Sequence, residues 1–154
     1  MITMLPATED DARELAPLLR TEDRAEIAAL SGREPAGLLV DSVAASWEST
    51  TYRADGALIC IGGVAPLSLI GSTRVPWLMG TALVPVHRKA FMRHSREAIP
   101  RWLARFPILR NVVDARHGPA IRWLRWLGFR FGEPVVMGVA GLPFLPFQME
   151  AADV

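Results

Sequence analysis

Apolar residues recur at two different spacings along this chain, and the change between them separates a helical opening from a strand-rich remainder. Residues 1–7 predict a short first strand ending near Pro6. Thr8 then offers an N-cap, and Glu9, Asp10 and Asp11 behind it place negative charge where a helix N-terminus favours it. Ala12, Leu15, Ala16 and Leu19 fall three and four residues apart, the stripe of a helix with one buried face. Residues 21–30 predict a second helix, stopped by Ser31-Gly32. Pro35 opens a third, with Leu38, Leu39, Val43 and Trp47 on its inner face.

From Thr50 onward the spacing shortens. Thr50-Thr51-Tyr52-Arg53 is β-prone and Asp55-Gly56 is a hairpin turn. Residues 57–65 form a nearly unbroken apolar run, as in a central strand buried on both faces, with Gly62-Gly63 predicting a bulge. A turn over 71–74 leads to a strand over 75–84, with Pro76 at its edge. Pro85 ends that strand. A long helix over 86–105 follows, with Ala90, Phe91, His94, Ala98, Trp102 and Leu103 inward and Pro100 predicting a kink or a division. Residues 108–115 predict a strand, and Gly118-Pro119 opens a helix to Leu127 that Gly128 caps. Strands over 129–139 and 144–150 complete the chain. Alternating strand and helix in the second half predicts parallel pairing, and the hairpin before it antiparallel pairing. The expected fold is α/β: one domain over 1–154, with a mixed, mostly antiparallel central sheet and helices on both faces.

Composition narrows the classes of function. A chain of 154 residues fits one domain, and a net charge of +1 supplies no broad field for nucleic acid or anionic lipid, so neither partner is expected. No apolar run reaches the ~18 residues of a membrane-spanning helix, and the first residues show no basic leader, so no signal peptide is expected. Hydrophobic residues make up 51% of the chain, a surplus that must enter a large core or contacts between chains. The single cysteine, Cys60, sits among Leu58, Ile59 and Ile61 and reads as a buried strand thiol.

Little in the chain has the spacing of a known catalytic motif. His87 and His94 share a helix face but stand about 10 Å apart along it, too far for one ion, and no metal site is expected. Ser46, Ser68 and Ser95 lack the glycine-flanked elbow of a hydrolase. Asp114, at a strand end beside His117, is a candidate base; the alternative is a carboxylate that caps the next helix. Trp123 and Trp126 lie three apart with Arg122 and Arg125 beside them, which suggests Trp126 in the core and Trp123 at a rim suited to protein contacts. The tail over 141–147, with Phe144 and Phe147, is either a covered edge strand or a docking segment.

The segment His117-Gly118-Pro119-Ala120-Ile121-Arg122-Trp123-Leu124-Arg125-Trp126-Leu127-Gly128-Phe129, set in this element order, resembles the GNAT family of N-acetyltransferases. That family often carries Asn-x-x-Ala-x-x-x-Tyr-x-x-Leu-Gly-Phe here, and Ala120, Leu127, Gly128 and Phe129 fit. His117 replaces the asparagine. Leu124 replaces the tyrosine that protonates the leaving thiolate. The family's phosphate turn, Gln/Arg-x-x-Gly-x-Gly/Ala, aligns from Arg88 and puts Phe91 and Arg93 at its glycine positions, where bulk would obstruct a phosphate cradle. A nearer resemblance is to small GNAT-like internal virion or morphogenesis proteins of short-tailed bacteriophages. It rests on Trp77-Leu78-Met79-Gly80-Thr81, Phe91-Met92-Arg93-His94-Ser95-Arg96, Leu109-Arg110-Asn111-Val112-Val113 and Ile121 to Phe129. That resemblance implies a virion or assembly protein, in the virion or host cytoplasm, that touches other virion proteins or further copies of itself and has no cofactor and no acetyltransferase activity. Arg122, Trp123, Arg125, Phe144 and Phe147 are its contact candidates. The alternative is an acetyl-CoA-dependent N-acyltransferase of the cytoplasm. It would hold the cofactor phosphates near Val86, His87, Arg88, Lys89 and Ala90 and use a substitute base such as Asp114, or none beyond orientation and proximity. A third reading is a pseudoenzyme that binds CoA without chemistry.

Overall fold

A computed structural model describes residues 1–67 and 71–151; Ser68 of the serine argument lies outside them. The chain runs β1 (Ile2–Pro6), α1 (Glu9–Leu15), a 3-10 turn (Ala16–Leu18), α2 (Thr21–Leu30), α3 (Pro35–Ala45), β2 (Glu48–Ala54), β3 (Ala57–Pro66), β4 (Thr73–Gly80), α4 (Arg88–Arg105), β5 (Ile108–Asp114), α5 (Gly118–Leu127), β6 (Arg130–Phe131), β7 (Val135–Met137) and β8 (Leu142–Glu150). The strands form one sheet in the order β1-β2-β3-β4-β5-β8-β6, with β7 also on β8. Among the described residues only β4 and β5 pair in parallel. This is the expected mixed, mostly antiparallel sheet.

Local chemistry explains the helix starts. Thr8 accepts the Asp11 amide while the Asp11 carboxylate accepts the Thr8 amide, a reciprocal cap on α1. Pro35 sits in the first turn of α3, where its missing N–H costs nothing. Gly128 closes α5 with φ of 103°, a left-handed conformation open to glycine.

The sheet carries a core on each face. On one, Ala12, Leu15, Leu19, Ile27 and Leu39 from the first helices cover Leu58 and Ile61. On the other, Ile99 and Leu103 of α4 and Leu124 of α5 meet Leu109, Val113, Phe147 and Met149. Among the described residues no helix is long and apolar enough to cross a membrane. Cys60 is fully buried at the centre of β3, and burial pushes its thiol far above the usual range.

Several predicted boundaries are corrected. Pro100 lies inside α4 without dividing it, and the buried stripe is Phe91, Ser95, Ile99 and Leu103, four residues apart. Trp47 falls beyond α3 and is about half exposed, its ring against Phe106. The bulge is at Ile59, which β2 skips between Tyr52 and Arg53, and not at Gly62-Gly63. Those glycines answer a different need: a Cβ on Gly63 would lie 2.6 Å from the Glu48 carbonyl oxygen. β4 ends at Gly80, because the chain folds back there and Val84 packs over the glycine. The strand expected over 129–139 is two short ones, interrupted at Gly132-Glu133-Pro134, where proline has no amide to give a ladder.

Candidate functional site

β4 and β5 pair only at Thr73–Ile108 and Arg74–Leu109, and beyond that point they part. Pro76 has no amide, and its carbonyl instead accepts Asn111 Nδ2 at 2.8 Å while Asn111 Oδ1 accepts the Val112 amide at 2.7 Å. One side chain thus bridges the strands where a ladder bond would be. At the far end of β4, the Gly80 carbonyl accepts the Arg20 amide at 2.9 Å and the Gly80 amide donates to Asp23 Oδ2 at 2.8 Å. Backbone groups of alternate residues point to the same edge of a strand. The Leu78 N–H and C=O, between Pro76 and Gly80, therefore face the split with no strand opposite. A cavity of about 110 Å³ occupies the split, lined among others by Glu26, Leu78, Phe91, Asn111, His117, Trp123 and Leu124.

Carboxylates gather at one end of this cavity. Asp23 and His117 are both buried and meet at 2.7 Å, Oδ1 to Nε2. His117 Nδ1 accepts the Ala120 amide at 3.2 Å, so the proton of the neutral ring is on Nε2 and points at Asp23. His117, not Asp114, caps α5. Asp23 is further held by Arg20 Nε at 2.7 Å. Asp114 is gripped by Arg116, through Nη2 at 2.7 Å, Nε at 3.0 Å and the backbone amide at 2.9 Å. These hydrogen bonds hold its carboxyl below the usual range. The expectation of Asp114 as base is therefore corrected: its lone pairs are already engaged. His117 is likewise occupied at both nitrogens.

Glu26, which sequence reasoning passed over, is the carboxylate poised to accept a proton. It lines the split. Burial pushes its pKa up to about 7, with the charges of Asp23 and Asp114 adding to the shift. The signal was present in outline: Asp23 and Glu26 lie on the side of α2 that carries the buried Ile27.

The split opens into an outer cleft of about 750 Å³ between the starts of α2, α4 and α5. Arg20, Arg88 and Arg122 line it together with Leu78, Phe91, Trp123 and Trp126. The amides of Arg88, Lys89 and Ala90, in the first turn of α4, have no partner among the described residues, as expected at a helix N-terminus. Of the five residues expected at a phosphate site, Arg88 lines the cleft; Val86, His87, Lys89 and Ala90 do not. Phe91 is one turn into α4, its amide bonded to His87, and its ring is buried against Tyr52 and Trp123, while Arg93 is exposed.

The contact candidates are also redistributed. Phe144 is fully buried and Phe147 nearly so, because β8 lies between β5 and the β6–β7 pair and turns both rings into the core. They offer no surface to a partner. Arg125 stacks over Phe131 at 5.3 Å. The two tryptophans are exchanged: Trp126 is the exposed one, beneath Arg96, and Trp123 turns inward to the cleft and cavity.

No family model matches the chain, and no curated protein does. Solved structures match throughout. A candidate acetyltransferase from Salmonella typhimurium, solved with its cofactor acetyl-CoA, superposes with a TM-score of 0.73 at 14% identity, covering 97% of this chain and 94% of that one. An N-acetyltransferase from Staphylococcus aureus Mu50 gives 0.74 at 10% identity, covering 98% and 99%. An acetyltransferase of the GNAT family from Streptococcus pneumoniae gives 0.64 at 12%, covering 97% and 99%.

The fold is that of the GNAT acetyltransferases. The expectation that no cofactor is involved is overturned here, since a GNAT-fold structure similar over nearly the whole chain carries acetyl-CoA. Nothing among these similar structures connects the chain to virions.

Proposed function

We propose that this GNAT-fold protein is an acetyl-CoA-dependent N-acyltransferase. The observation that supports it most strongly is the split between β4 and β5, with the unpaired Leu78 amide and carbonyl inside it, continuous with a cleft that bears arginines and a helix N-terminus. The features match the parts of acetyl-CoA in order. Arg88, Arg122 and the first-turn amides of α4 suit phosphates, by charge and by dipole. Leu78 offers one donor and one acceptor to an arm built of amides, as a strand edge offers them to an added strand. The buried Trp123 Nε1, without any partner, suits a carbonyl.

Acetyl-CoA supplies an acyl group activated as a thioester. The chain must bring an amine to it as a free base. Glu26 is the group that does so. With a pKa of about 7 it is partly ionised at neutral pH, and it takes a proton from an ammonium group entering at the Asp23 end of the split. The Asp23–His117 pair lines the same cavity as Glu26. Leu124 has no proton to give, so the departing thiolate takes its proton from water.

The test is release of free thiol from acetyl-CoA by the purified protein, measured across primary amines, amino-acid amides and peptides with free N-termini. At least one acceptor should raise thiol release above the rate with water, and Glu26→Gln should remove most of the increase. Thiol release unchanged by every acceptor, in a protein that binds acetyl-CoA, would turn the reading to a binding protein without chemistry.

A further inference from the structure

Among the described residues one buried side-chain polar atom lacks a hydrogen-bond partner: Nε1 of Trp123. A buried donor left unpaired is costly, and its persistence calls for an acceptor that arrives from outside the fold. Trp123 belongs to the walls of both the inner cavity and the outer cleft, so it stands where one narrows into the other. The ring is well fixed there. Phe91 lies against it at 5.3 Å between centroids, and it packs against two of the three core clusters. The neighbouring residue is Leu124, the position at which the family's tyrosine is absent.

We infer that the Trp123 indole N–H is a ligand donor, reserved for a carbonyl oxygen of the acyl-pantetheine arm. This rests on the acetyl-CoA reading above and adds a residue to it. An indole N–H donates and cannot accept, so the group it meets must be an acceptor. The arm of the cofactor presents acceptors of that kind, two amide carbonyls and the thioester carbonyl. Phe91, which the motif alignment puts at a glycine position, packs against the indole and fixes its plane. The contact anchors the arm as it passes from the cleft into the split, nearly two turns of α5 beyond the cap that His117 forms.

The indole ¹H–¹⁵N resonances test this directly, because the chain has five tryptophans and Trp123→Phe assigns the one that matters. On titration with acetyl-CoA the Trp123 indole signal should move downfield, with smaller shifts at the other four. Trp123→Phe should keep the fold, judged by its amide spectrum, and bind acetyl-CoA about tenfold more weakly, the effect of one buried hydrogen bond. A matching shift with CoA lacking the acyl group assigns an amide carbonyl; a shift with acetyl-CoA alone assigns the thioester carbonyl. Either supports the inference. Calorimetric binding of acetyl-CoA with an unmoved Trp123 signal and an unchanged Kd in Trp123→Phe would overturn it while leaving the cofactor reading intact. No binding heat at all would remove both.

Discussion

Glu26 shows how surroundings change the ionisation of one carboxylate. Its raised pKa means that the folded protein binds the proton more tightly than the unfolded chain does. Ionising Glu26 therefore costs stability, and the cost grows as pH rises from its ordinary 4.5 to about 7. Glu26→Gln should raise unfolding free energy at pH 8 by up to about 3 kcal/mol and change it little below pH 4, measured by urea denaturation at both pH values. The same variant should lower kcat/KM by roughly a hundredfold and flatten a rate limb centred near pH 7. Asp114, whose charge adds to the rise at Glu26, behaves oppositely, since Arg116 keeps its carboxylate ionised and occupied. The sequence offered Asp114 as base because it stood at a strand end beside a histidine. What it did not show was Arg116 folding back over the carboxylate.

At the scale of elements, the helices with an apolar stripe and the apolar run of β3 were legible, because burial imposes their spacing. Boundaries were less so. β4 was read into Val84, although the chain turns at Gly80, where a Cβ would approach Val84 Cγ2 at 2.5 Å. Gly80→Ala should cost about 1–3 kcal/mol in unfolding free energy, and thermal denaturation measures it. α4, expected from 86, begins two residues later at Arg88. Motif alignment from Arg88 puts Phe91 at a glycine position; in the structure it stands one turn into α4 with its ring against Tyr52 and Trp123. His117 was recognised as a departure without its consequence. It caps α5 and holds Asp23, so His117→Ala should lose both contacts, leave Asp23 buried with one partner fewer and lower stability by about 2–4 kcal/mol. His117→Asn, which restores a cap but not the reach to Asp23, should recover part of the loss in the same denaturation experiment.

For the whole molecule, the sheet matters for where it is incomplete. Pro76 and the Arg20–Asp23 clasp on Gly80 deny β4 a ladder partner beyond Arg74, Asn111 bridges the gap to β5, and a core packs on either face of the sheet. None of this was legible from composition, because the opening is made by side chains from several separated elements. The GNAT-like order of elements was legible, and so was the missing tyrosine. The inference from that absence to a protein without cofactor is the part overturned, by the acetyl-CoA that a structure of this fold carries.

Calorimetric titration of the protein with acetyl-CoA, with Arg88→Glu alongside, tests whether the cleft and split hold that cofactor. The expected result is a micromolar Kd that weakens at least tenfold in the variant and weakens with added salt, as befits phosphates held by arginine and a helix N-terminus. No heat at millimolar acetyl-CoA, from protein whose amide spectrum shows it folded, would contradict the cofactor reading and leave the split in the sheet without the ligand assigned to it.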